Sequence, residues 1–113
     1  MNGLAPRDRP REKLERHGAA SLGDNELVAV LLGHGTPAQS VLEVANQVLA
    51  LAGGVQGLTR MHRQRLASLA GIGPVQAGRL LAAVELGRRT LLASVRTRPR
   101  FRDSRELAIY LLP

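Results

Sequence analysis

A short glycine-rich segment carries the residues best suited to chemistry in this chain. Residues 69–81 read Leu-Ala-Gly-Ile-Gly-Pro-Val-Gln-Ala-Gly-Arg-Leu-Leu, with two glycines around one apolar residue. Glycine tolerates positive φ, so Gly71 and Gly73 can both turn the backbone tightly. Pro74 suits the first turn of a helix, where its missing N–H costs nothing. The N–H groups of Gly71, Gly73 and Val75, at the positive end of that helix, are predicted to bind an anion.

This segment resembles a helix-hairpin-helix element, which holds a DNA backbone without reading bases. In that interpretation Ile72 inserts into the core and the glycines leave the main chain uncovered. The alternative is a simple Gly-Pro turn that joins two core helices.

The charge of the chain favours an anionic partner. It has 113 residues, a length typical of one domain, with 16 Lys+Arg against 9 Asp+Glu and a net charge of +7. All the basic residues except Lys13 are arginines, whose forked donors suit phosphate. Phe101 and Tyr110 are the only aromatic residues, so the base-stacking surface of a single-strand binder is not expected.

Other classes of protein are excluded by what the composition lacks. The absence of cysteine excludes disulfides and thiolate metal sites. No apolar run approaches the roughly 20 residues of a membrane span, and residues 1–10 lack the apolar stretch of a signal peptide. We therefore expect a cytoplasmic protein that does not enter a membrane.

Apolar spacing predicts an all-α fold, a compact bundle of about five short helices that includes the hairpin. The predicted helices end at Gly18, Gly33, Leu51, Leu69 and Ala93, and begin near Arg9, Asp24, Pro37, His62 and Pro74. A short turn is expected over residues 55–58. In the fifth helix one apolar stripe is predicted, formed by Leu80, Leu81, Val84 and Leu91.

A faint internal repeat accompanies this pattern. Residues 32–37 echo residues 70–74, because both have Gly-x-Gly before an apolar-periodic helix. The repeat is either a degenerate first hairpin packed on a complete second one, or unrelated turn chemistry.

The sequence divides into three parts. Residues 1–8 are expected to be a flexible N-terminus, and residues 9–94 the helical domain. In residues 95–102 every second residue is arginine, one proline is present and there is no helical stripe, so residues 95–113 are expected to be a linker and the first helix of a following domain.

Blocks of residues in a fixed order give a more specific match than the hairpin alone. They are residues 9–14, 22–27, 31–32, 35–36, 53–54, 71–77 and 85–89. Over roughly residues 9–113, the chain resembles the N-terminal region of the bacterial RadC family, also called UPF0758. The resemblance implies a helix-hairpin-helix region before a metal-dependent JAB/MPN-type domain that starts near residue 103, and an association with DNA repair.

Two positions depart from the family's pattern. Gly23 stands where the family often has serine, so the second helix loses a side-chain cap at a cost of a few tenths of a kcal/mol. Gln76 stands where the family often has a basic residue, and it can donate a hydrogen bond to phosphate but adds no charge. Phosphate contacts are therefore expected to fall on Arg79 and, in the preceding helix, on Arg63 and Arg65.

The sequence supports two candidate functions. The first is a DNA-binding module that contacts phosphates of duplex or branched DNA through Gly71, Ile72, Gly73, Val75, Gln76, Arg79, Arg63 and Arg65. The alternative is a protein-interaction or regulatory module for the adjoining JAB/MPN-type domain, without direct DNA binding. No cofactor or enzymatic activity is expected of this region, because His17, His34 and His62 are scattered and cannot form a zinc site.

Overall fold

The computed structural model describes residues 9–97, which form five α-helices and two short 3₁₀ segments. The α-helices are α1 (Pro10–His17), α2 (Asp24–Leu32), α3 (Val41–Ala52), α4 (Arg63–Ala67) and α5 (Pro74–Thr97), and the 3₁₀ segments are Ala19–Ser21 and Val55–Arg60. This part of the chain contains no strand, so the predicted all-α class is confirmed. The same residues include no helix that is both long and apolar enough to cross a membrane.

The core lies where α2 packs against α3 and α5. An i, i+1, i+4 spacing of small and branched residues on α2 and on α3 places three side chains of each helix inside. The buried cluster consists of Val28, Ala29, Leu32, Val44, Ala45, Val48, Leu58, Leu66, Ile72, Ala77 and Leu80. Because Ile72 belongs to this cluster, the hairpin is attached to the core as the sequence predicted.

The ends of the first two helices agree with the sequence-based prediction. Pro10 occupies the first turn of α1, and the N–H of Gly18 donates to Leu14 O at its end. The predicted loss of a side-chain cap at Gly23 is partly offset, because the Gly23 N–H donates to Glu26 Oε1 at 2.9 Å. The carboxylate half of a capping box is thus kept.

An ion pair joins α1 to α2. Lys13 Nζ donates to Glu26 Oε2 at 2.7 Å. This hydrogen bond, together with the one that Gly23 donates, lowers the pKa of Glu26 below its usual value of 4.5. The short helix α1 is thereby held on the bundle by charge as well as by apolar contact.

The predicted start of the third helix at Pro37 is wrong. Residues 36–39 form a turn in which the Thr36 N–H donates to Gln39 O at 2.9 Å. The helix begins after Ser40, whose Oγ accepts from the Glu43 N–H while Glu43 Oε1 accepts from the Ser40 N–H. This capping box satisfies two free backbone donors and fixes the start at Val41.

The fourth and fifth helices also differ from their predicted bounds. The fourth is shorter, at Arg63–Ala67, and α5 runs to Thr97, so residues 95–97 are helical and not extended linker. Leu91 was expected on the buried stripe but is 49% exposed, because the last turns of α5 extend beyond the bundle. The predictions for residues 1–8 and 98–113 lie outside the described residues.

Candidate nucleic-acid interface

The hairpin between α4 and α5 contains one strained glycine, not two. Gly71 has a φ of 94°, whereas Gly73 has no positive φ, which corrects the expectation that both need glycine's freedom. The Ile72 N–H donates to Leu69 O at 3.2 Å, and the Ala77 N–H donates to Gly73 O at 3.0 Å. The chain therefore turns sharply at Gly71 and enters α5 directly after Gly73.

The two glycines also differ in the space around them. A methyl group built on Gly71 would lie 3.0 Å from Cγ2 of Val44, which is fully buried. A methyl group on Gly73 would meet only Gln76 Oε1, at 3.8 Å. Glycine at position 71 therefore stabilises the fold, whereas the absence of a side chain at Gly73 has no such structural cause.

The backbone donors of the hairpin are only partly free. The N–H of Gly73 donates to Gln76 Oε1 at 2.9 Å, and that of Ile72 is used within the turn. Within residues 9–97, the backbone N–H groups of Gly71, Val75 and Gln76 have no acceptor. The predicted anion site thus retains Gly71 and Val75 and gains the main chain of Gln76, at the positive end of a 24-residue helix.

The predicted contact between the Gln76 side chain and phosphate is wrong. Gln76 is only 8% exposed, and its Nε2 donates to Leu32 O and to His34 O, both at 3.0 Å. Its Oε1 is the acceptor for Gly73. Because all the polar atoms of this amide have partners inside the protein, Gln76 is a structural residue between two loops.

The three predicted arginines are exposed, and they lie on elements that pack together. Arg63 and Arg65 are on α4, which packs against the beginning of α5, where Arg79 lies. Within residues 9–97 none of the three forms an ion pair. Arg60, at the end of a 3₁₀ segment that also contacts α5, is exposed as well and was missed by the sequence analysis.

The stretch of sequence that contains the hairpin carries charge of one sign. Residues 44–84 contain Arg60, Arg63, Arg65 and Arg79 and no aspartate or glutamate. By contrast, Arg88 and Arg89 further along α5 both pair with Glu85, at 2.8 Å, which lowers the pKa of Glu85 to about 2. Within residues 9–97 the four arginines of this stretch thus have no ion-pair partner, whereas Arg88 and Arg89 share one carboxylate.

A concave site lies elsewhere in the molecule. A cleft of about 160 Å³ is formed by residues of α1, α2 and the start of α3, and none of the predicted phosphate-binding residues lines it. Among the described residues there is also no group of three or more histidine, aspartate or glutamate side chains placed to bind a metal ion. This cleft is therefore separate from the predicted phosphate-binding residues.

Comparison with known proteins identifies the family. A family model described as UPF0758 N-terminal matches residues 1–78. The chain belongs to the UPF0758 family. The resemblance inferred from the sequence blocks is thereby confirmed, and the matching family model is that of the N-terminal part.

Other UPF0758 proteins are similar over much of this chain. One from Carboxydothermus hydrogenoformans is 53% identical over 81 residues, which cover 72% of this chain and 36% of that protein. One from Chloroflexus aurantiacus is 44% identical over 105 residues, covering 93% of this chain and 46% of that protein. The chain thus spans less than half the length of these relatives. No solved structure matches the chain.

Proposed function

We propose that this UPF0758 chain is a DNA-binding module of a cytoplasmic, DNA-repair-associated protein. Its role is binding and not catalysis, and its ligand is the phosphate backbone of duplex or branched DNA. The observation that carries the proposal is the free amide donors at the start of α5 within a stretch that has four arginines and no acidic residue. Donors at a helix N-terminus and unpaired arginines both favour phosphate.

The same features argue against other ligands. Because backbone amides and exposed arginines contact phosphates and not base edges, the binding should be independent of sequence. Residues 9–97, the part that the structure describes, contain no Phe, Tyr or Trp on which a base could stack. Single strands, which need stacking platforms, should therefore bind more weakly than duplex or branched DNA.

The proposal is tested by two charge-matched variants of one helix. Arg79 and Arg96 are both exposed on α5, and they are separated by about 25 Å along its axis at 1.5 Å per residue. Arg79→Ala should weaken binding to a labelled duplex about tenfold, since it removes a charge-assisted contact. Arg96→Ala should have little effect. Equal effects of the two variants would indicate diffuse attraction and contradict a site at the hairpin.

A second candidate function is supported by the exposed leucines of α5. Leu86, Leu91 and Leu92 are 65%, 49% and 40% exposed, on the part of the helix that leaves the bundle. A protein-interaction module for an adjoining JAB/MPN-type domain would bury such residues. In that case Leu91→Ser should reduce association with that domain, while wild-type protein should show no salt-sensitive binding to DNA.

A further inference from the structure

The buried amide of Gln76 joins two loops that are far apart in the sequence. One is the first loop, residues 33–36, and the other is the hairpin, residues 71–73. Nε2 of Gln76 donates to Leu32 O and His34 O at 3.0 Å, while its Oε1 accepts from Gly73 N at 2.9 Å. A single side chain thus fixes the first loop and the hairpin at one relative position.

The two loops share one backbone feature, the positive φ of the first glycine. Gly33 and Gly71, the first glycine of each, have φ values of 85° and 94°, and the second glycine of each has no positive φ. The two loops differ on their C-terminal sides, because residues 36–39 form a turn before α3, whereas α5 starts at once after Gly73. The first loop therefore shares with the hairpin the positive φ of its first glycine, but no helix begins directly after it.

Arg79 lies beside both loops. A methyl group built on Gly33 would be 3.8 Å from Arg79 Nη1, and Arg79 itself lies in the second turn of α5, which starts at the hairpin. His34 is exposed on the first loop, where its Nδ1 is 3.0 Å from Gly35 O. The junction of the two loops thus presents an arginine and a histidine to solvent.

We infer that Gln76 is a positioning residue that joins the first loop and the hairpin into one surface, on which His34 and Arg79 contact neighbouring phosphates of a nucleic-acid strand. The inference rests on the proposed function, and it extends the site to residues of the first loop. Gln76 touches no phosphate itself. It acts by holding the first loop at the position where His34 reaches the strand that the hairpin binds.

The test is a cycle of variants measured by duplex DNA binding of the full 113-residue chain. His34→Glu should weaken binding about tenfold, because it places a negative charge beside the phosphates. His17→Glu is the matched control, since His17 is also exposed but lies at the end of α1. Its effect should stay below about threefold, the range of screened, distant charges.

Gln76→Met then separates positioning from a merely structural role. Circular dichroism first shows whether the Gln76→Met chain is folded. In the folded variant the first loop is no longer held by residue 76, so adding His34→Glu should weaken DNA binding no more than adding His17→Glu. If Gln76→Met does not fold, Gln76→Asn replaces it, because the shorter neutral amide cannot reach both the first loop and Gly73 N. An unchanged effect of His34→Glu in the Gln76 variant would overturn the positioning role.

The outcomes distinguish this inference from the proposed function. If His34→Glu and His17→Glu have equal effects while Arg79→Ala still weakens binding, the hairpin binds DNA and the first loop takes no part. That result would overturn the inference alone. If the wild-type chain does not bind DNA at low salt, both the proposed function and the inference are wrong.

Discussion

Alanine at Gly71 should lower stability, whereas alanine at Gly73 should weaken DNA binding and leave stability almost unchanged. Gly71 has a φ of 94°, a conformation that costs a residue with a side chain about 1–2 kcal/mol. Its new methyl group would also lie 3.0 Å from Cγ2 of Val44 in the core, and such overpacking adds about 1 kcal/mol or more. We therefore expect Gly71→Ala to lower the free energy of unfolding by about 2–3 kcal/mol.

Gly73→Ala is the control for that change. The added methyl group has no neighbour closer than Gln76 Oε1 at 3.8 Å, so stability should change by less than about 0.5 kcal/mol. A side chain at residue 73 is nevertheless expected to hinder the close approach of a phosphate to the α5 amides, so DNA binding should weaken in a folded protein.

Urea unfolding and thermal melts measure both variants. A loss of about 2–3 kcal/mol corresponds to a fall in Tm of at least about 8 °C for a domain of this size, at roughly 4–8 °C per kcal/mol. Equal stabilities of Gly71→Ala and wild type would refute the assignment of strain to Gly71. A Gly73→Ala chain that unfolds as easily as Gly71→Ala would contradict the conclusion that Gly71, and not Gly73, is required for stability.

Three further predictions concern Gln76, Glu26 and the extent of the domain. Gln76→Met should lower the free energy of unfolding in urea by about 1–3 kcal/mol, because it leaves Gly73 N–H and two carbonyls unpaired. The same change at the exposed Gln64 should have almost no effect, and equal effects of the two variants would contradict the buried hydrogen bonds of Gln76. Because the pKa of Glu26 is lowered in the folded chain, the stabilisation by its carboxylate is present above pH 4.5 and is lost as the pH falls further. Glu26→Gln should therefore flatten the dependence of stability on pH in that acidic range. An unchanged slope would contradict a contribution of the ion pair with Lys13 to this dependence. We propose that the independently folded unit is residues 9–94, so hydrogen exchange should be slow for amides of residues 77–84 and faster beyond residue 94, and equal protection in a monomer would contradict that boundary.

Local signals in the sequence predicted most helix ends. Pro10, Gly18 and Gly33 mark helix ends through backbone geometry that depends on few neighbours, and these ends appear as expected. The start of α3 was predictable too, because Ser40 and Glu43 have the spacing of a capping box. Pro37 also suits a helix start and indicates an earlier one, but residues 36–39 close a turn of their own.

Features that depend on distant contacts were not predictable. The burial of Gln76 depends on its hydrogen bonds to Leu32 O and His34 O, which are more than 40 residues earlier in the chain. Its local sequence pattern, by contrast, is that of an exposed residue in the first turn of a helix. The exposure of Leu91 depends on where the bundle ends, and apolar spacing alone carries no information about that. The sequence thus located the hairpin but misassigned the side chain that fixes it.

The salt dependence of duplex binding tests the central claim most directly. Each neutralised phosphate contributes about 0.9 to the slope of log Kd against log salt concentration, so contacts by three arginines predict a slope near about 2.7. Arg79→Ala should lower this slope by about 0.9, and Arg96→Ala should leave it unchanged. A wild-type slope near zero, or a slope that Arg79→Ala does not alter, would contradict a phosphate-binding site at the hairpin.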